Sequence, residues 1–227
     1  MITLSQIKKN PYILEFIKQT ENVLKSSGYT EHGLEHSTLV ADRARTIAKE
    51  IEISTQEQEL SAIAGFCHDM GNFLSRSHHN YLGSMLFFQV FKDDFSPEEI
   101  SLIMQAITFH DKEDILPEHE DIEFPSAVSA IVVLADKSDV RRSRVNSNNA
   151  DDIKKDIHDR VNYATEFSRL EINKSRKNIS LTLKIDTNFV PIMEYFEIFT
   201  NRMIYCRKAA KSLGYKFGLV INKFKLL

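Results

Sequence analysis

Ser54-Thr-Gln-Glu-Gln-Glu-Leu-Ser-Ala-Ile-Ala-Gly-Phe-Cys-His-Asp-Met-Gly-Asn72 opens on a capping hydroxyl followed by acid, then sets Leu60, Ala64 and His68 on one helical face. The helix predicted over Thr55 to Asp69 stops near Gly71-Asn72, where the backbone can turn left-handed. An apolar face that ends in an imidazole and a carboxylate brings polar groups to the core side. The same placement recurs along the chain.

Working outward, apolar residues at helical spacing predict helices over Pro11 to Lys25 and Leu34 to Ile51 before this stretch, and over Asn80 to Phe91 after it. Ser96-Pro97-Glu98-Glu99 combines an N-cap hydroxyl, a proline at the first helical position and a glutamate at the third, and starts a helix ending near His110. Acidic residues between Lys112 and Glu123 predict an exposed loop, and Pro125-Ser126 opens a helix from Ala127 to about Val140. Asn146 to Asp152, rich in Asn, Ser and Asp, marks a boundary between a helical domain, 1–145, and an extension, 146–227. In the extension the pattern predicts a charged helix from about Asp152 to Asn173, a strand at Ile179–Ile185, a helix at Phe189–Leu213 and a second strand at Phe217–Phe224. The expected fold is mainly α, a helical bundle with a small C-terminal α+β extension of strand, helix and strand.

Composition agrees with this. The 227 residues are 42% hydrophobic and 27% charged, with only seven Gly, five Pro and no Trp, which favours long helices over turn-rich sandwiches. A net charge of −3 gives no footprint for a nucleic-acid polymer or an anionic membrane. Cys67 and Cys206 are too few and too far apart for a disulfide framework, the amino terminus lacks the apolar run of a signal peptide, and no stretch is long enough to span a membrane. A cytoplasmic protein is expected.

His36 shares a stripe with Val40, Ala44, Ile47 and Ile51; His79 aligns with Gly83 and Leu86; His110 continues Ile100, Ile103 and Ile107; Asp136 continues Val128 and Val132. One inward histidine alone reads as a hydrogen-bonded core residue. An ionised Asp136 among valines and leucines is costly unless paired or bound to metal, and four His and two Asp placed alike are explained together by a shared ion. Nitrogen and carboxylate donors without thiolate suit a divalent Mn, Fe, Co, Ni, Mg or Zn ion. Lys137, Arg141, Arg142 and Arg144 follow Asp136, and Lys137 and Arg141 are candidates to meet a phosphate. His79 is favoured over His78 by its phase with Gly83 and Leu86. His32 reads as a helix-start residue, His158-Asp159 as a solvated surface, Asp111 as a helix end and Cys67 as core.

His36, then His68-Asp69, then Asp136 resembles the His…His-Asp…Asp signature of the HD-domain superfamily of metal-dependent phosphohydrolases, over roughly residues 30 to 145. His79, in His-Asn-Tyr-Leu-Gly-Ser, and His110, in Thr-Phe-His-Asp, are similar to the extra histidines of members that hold two metals, including the bacterial diadenosine tetraphosphate hydrolases. The Gly-Tyr-Pro element of the cyclic-di-GMP hydrolase branch is missing near His110. So is the alarmone-hydrolase element, since Met70-Gly71-Asn72-Phe73 follows Asp69.

The resemblance implies one or two divalent ions per chain. His36, His68, Asp69 and Asp136 would surround one, with His79, His110 and the shared Asp69 around the other. Asp69 would be catalytic, and Lys137 or Arg141 would lie on the phosphate of a small substrate such as a nucleotide. The same ligand set resembles the mixed-valent di-iron oxygenases of this bundle. A non-catalytic alternative is a nucleotide or metal sensor whose C-terminal strands pair with a partner, or with a second copy as a homodimer, through exposed edges.

Overall fold

The computed structural model describes residues 2–111, 123–147 and 149–226. Helices α1 (Leu4–Ile7), α2 (Pro11–Ser26), α3 (Leu34–Glu50), α4 (Thr55–Cys67), α5 (His79–Phe91), α6 (Pro97–Phe109) and α7 (Ala127–Lys137) form the bundle. The starts of α2, α4, α6 and α7 are capped by short polar side chains that occupy otherwise orphaned amides. Asn10 accepts from Tyr12 and Ile13, Ser54 and Ser96 form capping boxes with Glu57 and Glu99, and Ser126 accepts from Ser129. The acidic loop expected before Glu123 lies almost wholly outside the described residues.

Helix α7 is the axis of the molecule. It is buried all round from Val128 to Lys137, as a helix apolar on every face must be. Val128 and Val132 join the core under α4, α5 and α6, with Leu60, Phe66, Phe87, Phe91 and Ile103. Ile131, Leu134 and Ala135 join a second core, which continues from Val40 and Ile47 of α3 into the C-terminal region.

There, α8 (Ala150–Lys155) and α9 (Ile157–Ala164) lead into strands β1 (Thr165–Asn173) and β2 (Asn178–Ile185), then α10 (Ile192–Ser212), β3 (Lys216–Ile221) and β4 (Phe224–Lys225). The sheet order is β1-β2-β3-β4. β2 and β3 are parallel, joined by the α10 crossover, while β1 and β4 run antiparallel to their neighbours. Leu181, Leu183, Leu219 and Ile221 press against Tyr195, Phe199 and Met203 of α10 in the second core.

Three expectations are corrected. The charged helix from Asp152 to Asn173 breaks at Asp156, whose backbone is extended and whose carboxylate caps α9 by accepting from His158 and Asp159. After Ala164 the chain is a strand. Ser168, Leu170 and Ile172 alternate with exposed Arg169 and Glu171, and Leu170 and Ile172 sit opposite Leu181 and Ile179. The second strand ends at Ile221, because Asn222 and Lys223 both take positive φ (49° and 74°), the two-residue reversal that returns the chain as β4. Finally, α7 stops at Lys137, with Ser138 hydroxyl folding back to the Ala135 carbonyl.

Gly71 has one close approach to explain it: a Cβ there would lie 2.2 Å from the His79 carbonyl oxygen and 2.5 Å from the Gly83 nitrogen. The turn after Asp69 can lie against α5 only without a side chain. Gly71→Ala is expected to cost about 1–3 kcal/mol by forcing two backbones apart. Thermal unfolding of the purified variant checks this, and an unchanged midpoint would count against it.

Candidate metal centre

The six expected residues converge where helix ends meet. His36 lies in the first turn of α3, His68 caps the end of α4 and Asp69 follows it; His79 begins α5, His110 caps α6, and Asp136 sits one residue before the end of α7. All six are buried. Three of the imidazoles are anchored alike, each on the carbonyl three residues earlier, two of these in the last turns of α4 and α6 and one in the bend before α5. The Nδ1 of His68 donates to the Gly65 carbonyl at 2.8 Å, that of His79 to Arg76 at 2.8 Å, and that of His110 to Ile107 at 2.6 Å. A carbonyl only accepts, so each Nδ1 carries the proton. His36 Nδ1 lies 2.7 Å from Asp139 Oδ2 and is anchored by a carboxylate instead.

With every Nδ1 turned outward, each ring aims its Nε2 at the centre, where it offers a lone pair once that nitrogen carries no proton. His36 and His68 Nε2 are 3.2 Å apart, and His79 and His110 Nε2 are 3.1 Å apart. The Asp69 carboxylate divides between the two pairs. Its Oδ2 is 3.5 Å from His36 and 3.2 Å from His68, while its Oδ1 is 3.4 Å from His79 and 3.5 Å from His110. Asp136 Oδ1 is 3.3 Å from His36 and 3.6 Å from His68. The triads His36–His68–Asp69, His68–His110–Asp136 and Asp69–His79–His110 each have ligand atoms within 4.8 Å of one another and could hold an ion. Lone pairs and anionic oxygens this close repel unless a cation lies among them. The donor set therefore fits a divalent metal, with imidazole and carboxylate ligands whose outer hydrogen bonds are already made.

Titration reflects the same field. Burial raises the Asp69 and Asp136 carboxyl pKa values, but neighbouring cationic groups, His68 for Asp69 and Lys137 for Asp136, hold both well below the usual range. Burial lowers His68, yet the Asp69 and Asp136 carboxylates outweigh it and push that imidazolium up to about 10. His79 falls to about 4 through burial and the charge of His110.

Lys137 Nζ bridges Asp111 Oδ1 at 2.8 Å and Asp136 Oδ2 at 3.0 Å, beside the cluster. Arg141 turns elsewhere: it donates to Asp139 at 2.8 Å and also bonds Glu35 and Ser143. His79, not the exposed His78, faces the site. His32 precedes α3, its Nδ1 2.6 Å from the Thr30 carbonyl and its ring edge-on to His36; His158 is exposed.

Sequence reasoning missed Asp139, Asp111 and Asn72. Asp139 is fully enclosed, with Arg141, Arg144 and Arg43 within 4.0 Å. Its signal was the spacing Asp136-Lys-Ser-Asp139, one helical turn. Asp111 lies 3.6 Å from His79 Nε2, directly after His110 in the chain. The Asn72 amide donates to Asp69 Oδ1 at 3.0 Å and accepts from Arg76 at 2.8 Å, orienting the shared carboxylate.

Two outcomes follow from this geometry. Asp139→Asn keeps the shape but removes the charge behind His36, and should weaken divalent-metal affinity roughly ten-fold with helical circular dichroism retained; unchanged affinity would show that Asp139 does not tune the ligand. A proton stays on His68 below about pH 10, so a metal must displace it. Affinity should therefore rise with pH towards about 10, and calorimetry at neutral pH should give a buffer-dependent heat from the released proton. Heats that do not vary with buffer ionisation enthalpy would contradict this.

No helix among the described residues is long and apolar enough to cross a membrane. No curated protein matches the chain. A family model described as HD domain matches residues 33–141, a span that contains His36, His68, Asp69, His79, His110 and Asp136. HD domains are generally metal-dependent phosphohydrolases, so the match suggests metal-dependent hydrolysis only as a general class of activity. Residues 33–141 thus match an HD domain, and all six converging donors lie within that span.

Proposed function

We propose that this protein is a dinuclear metal-dependent phosphohydrolase acting on a nucleotide or another small phosphate ester. The observation that carries the reading is the outward anchoring of all four imidazole Nδ1 atoms, which leaves four Nε2 atoms and two carboxylates facing inward. In this reading His36, His68, Asp69 and Asp136 hold one ion, and His79, His110 and Asp69 the other. The bound ions would lower the pKa of a water and offset negative charge on a phosphoryl oxygen.

The protein's own groups position and neutralise. Asp139 fixes the His36 tautomer, and Asn72 steers Asp69. Lys137 supplies a cation at the rim, shared between Asp111 and Asp136, and is the expected phosphate contact closest to the cluster. Arg141, the other residue expected there, acts in this reading through Asp139 and Glu35.

The C-terminal extension, from residue 146, adds Arg202. Its guanidinium sits 5.0 Å from the Phe199 ring centre, one turn of α10 from Tyr205, whose hydroxyl donates to the Phe109 carbonyl beside His110. Among the described residues Arg202 makes no ion pair or hydrogen bond. Burial lowers its pKa, while the Asp136 and Asp111 carboxylates favour its charge. It is a cation left for a substrate anion. The two buried free thiols, Cys67 and Cys206, suit a reducing cytoplasm.

Asp69→Ala should abolish phosphate release from a panel of nucleotides and phosphomonoesters while leaving the helical dichroism intact, and Arg202→Ala should raise KM roughly ten-fold with kcat little changed. Turnover retained in Asp69→Ala would refute the assignment. Oxygen consumption with an organic substrate and no phosphate release, measured on the iron-loaded protein, would replace it with the oxygenase. Saturable nucleotide binding without turnover would replace it with a sensor.

A further inference from the structure

β1 is an edge strand. It hydrogen-bonds to β2 on one side, and on the other its nine residues carry no strand partner among the described residues. Such an edge is a template for another strand unless it is short, covered or bulged. Its one irregularity lies at its start, between Thr165 and Phe167, so the segment from Ser168 to Asn173 is regular.

Beside this edge, between β1 and α3, runs a groove of about 1170 Å³. Leu34, Leu39 and Ile47 lie on its helix wall, Leu170 and Ile172 on its strand wall. Leu34 is 50% exposed, an apolar side chain without cover.

The charges on the strand say what fits. Arg169 and Glu171 stand on the solvent face, two residues apart around Leu170, with side chains 64% and 52% exposed and paired to each other at 3.2 Å. A two-fold axis perpendicular to the sheet makes strands meet antiparallel. Centred on Leu170, it sets Arg169 of each copy opposite Glu171 of the other and Leu170 opposite Leu170. Centring on Arg169 or on Glu171 instead sets like charges face to face, which is unfavourable. Of these three registers only the one centred on Leu170 sets opposite charges face to face, and the same axis keeps the apolar faces on one side, so the second copy's Leu170 and Ile172 approach the groove.

We propose that the chain forms a two-fold homodimer through antiparallel pairing of β1 with β1 of a second copy, centred on Leu170, giving one continuous sheet across both copies. Association is read independently of any hydrolytic activity.

Sedimentation of the full chain should show a concentration-dependent monomer–dimer equilibrium. R169E and E171R, each alone, should weaken it roughly ten-fold, and the double variant R169E/E171R should restore it. In L170C, mild oxidation should cross-link two chains, because opposed antiparallel residues have Cα atoms about 4.5–5.5 Å apart, within disulfide reach. S168C, which would face Ile172, should not cross-link; Cys67 and Cys206 are buried and do not compete. A chain that stays monomeric to about 0.1 mM would overturn the proposal. So would a dimer indifferent to the single reversals, or one that cross-links through S168C and not L170C. Circular dichroism of each variant separates lost pairing from lost folding, and the charge variants decide the matter if L170C misfolds.

Discussion

Four buried imidazoles cannot point their lone pairs at one another, and at two carboxylates, without positive charge between them. That constraint organises the molecule. Each ring is turned so that Nδ1–H is spent outward, three times on the carbonyl three residues earlier and once on Asp139, and what remains inward is a set of acceptors. A buried charge or lone pair without a partner is strongly destabilising, so a proton or a metal ion is needed to complete the site. The upward displacement of the His68 pKa shows the same demand: two carboxylates bind a proton there until a stronger cation replaces it.

The bundle serves this by bringing helix ends, not helix middles, to the centre. The carboxyl ends of α4, α6 and α7 and the amino ends of α3 and α5 meet; carbonyls in the last turns of α4 and α6 and in the bend before α5 anchor three of the rings, and Asp139 the fourth. Gly71 lets the Asp69 turn lie directly on α5, which places one carboxylate between two histidine pairs. Behind the site, Asp139 is enclosed by Arg43, Arg141 and Arg144, and Arg144 also donates to the Glu31 carbonyl at 2.9 Å, tying the loop before α3 to the chain after α7. The charged ring is buried but paired, the condition under which such networks are tolerated.

The C-terminal region is not a bystander to that arrangement. α7 lends Ile131, Leu134 and Ala135 to the core it shares with β2, α10 and β3, so the helix carrying Asp136 and Lys137 is clamped from both sides. α10 thereby comes beside His110, with Tyr205 on the Phe109 carbonyl and Arg202 one turn away. The β1 edge, without a strand partner among the described residues, lies across the groove from α3.

Much of this was legible in the chain itself. Apolar periodicity located the bundle helices, because a helix face is written every three or four residues whatever it packs against. The six inward donors were visible because imidazoles and carboxylates interrupted those faces. Composition misled where charge hid alternation: Leu170 and Ile172 alternate with Arg169 and Glu171, and only pairing with β2 reveals a strand. What folding alone decided are contacts between distant parts of the chain. Asp139 meets His36 across 103 positions, Lys137 settles between Asp111 and Asp136, and Arg141 turns to Asp139 and Glu35. Local pattern determines which face a residue occupies; which nitrogen of a ring points inward, and which carboxylate a cation meets, depend on packing between helices that no local period encodes.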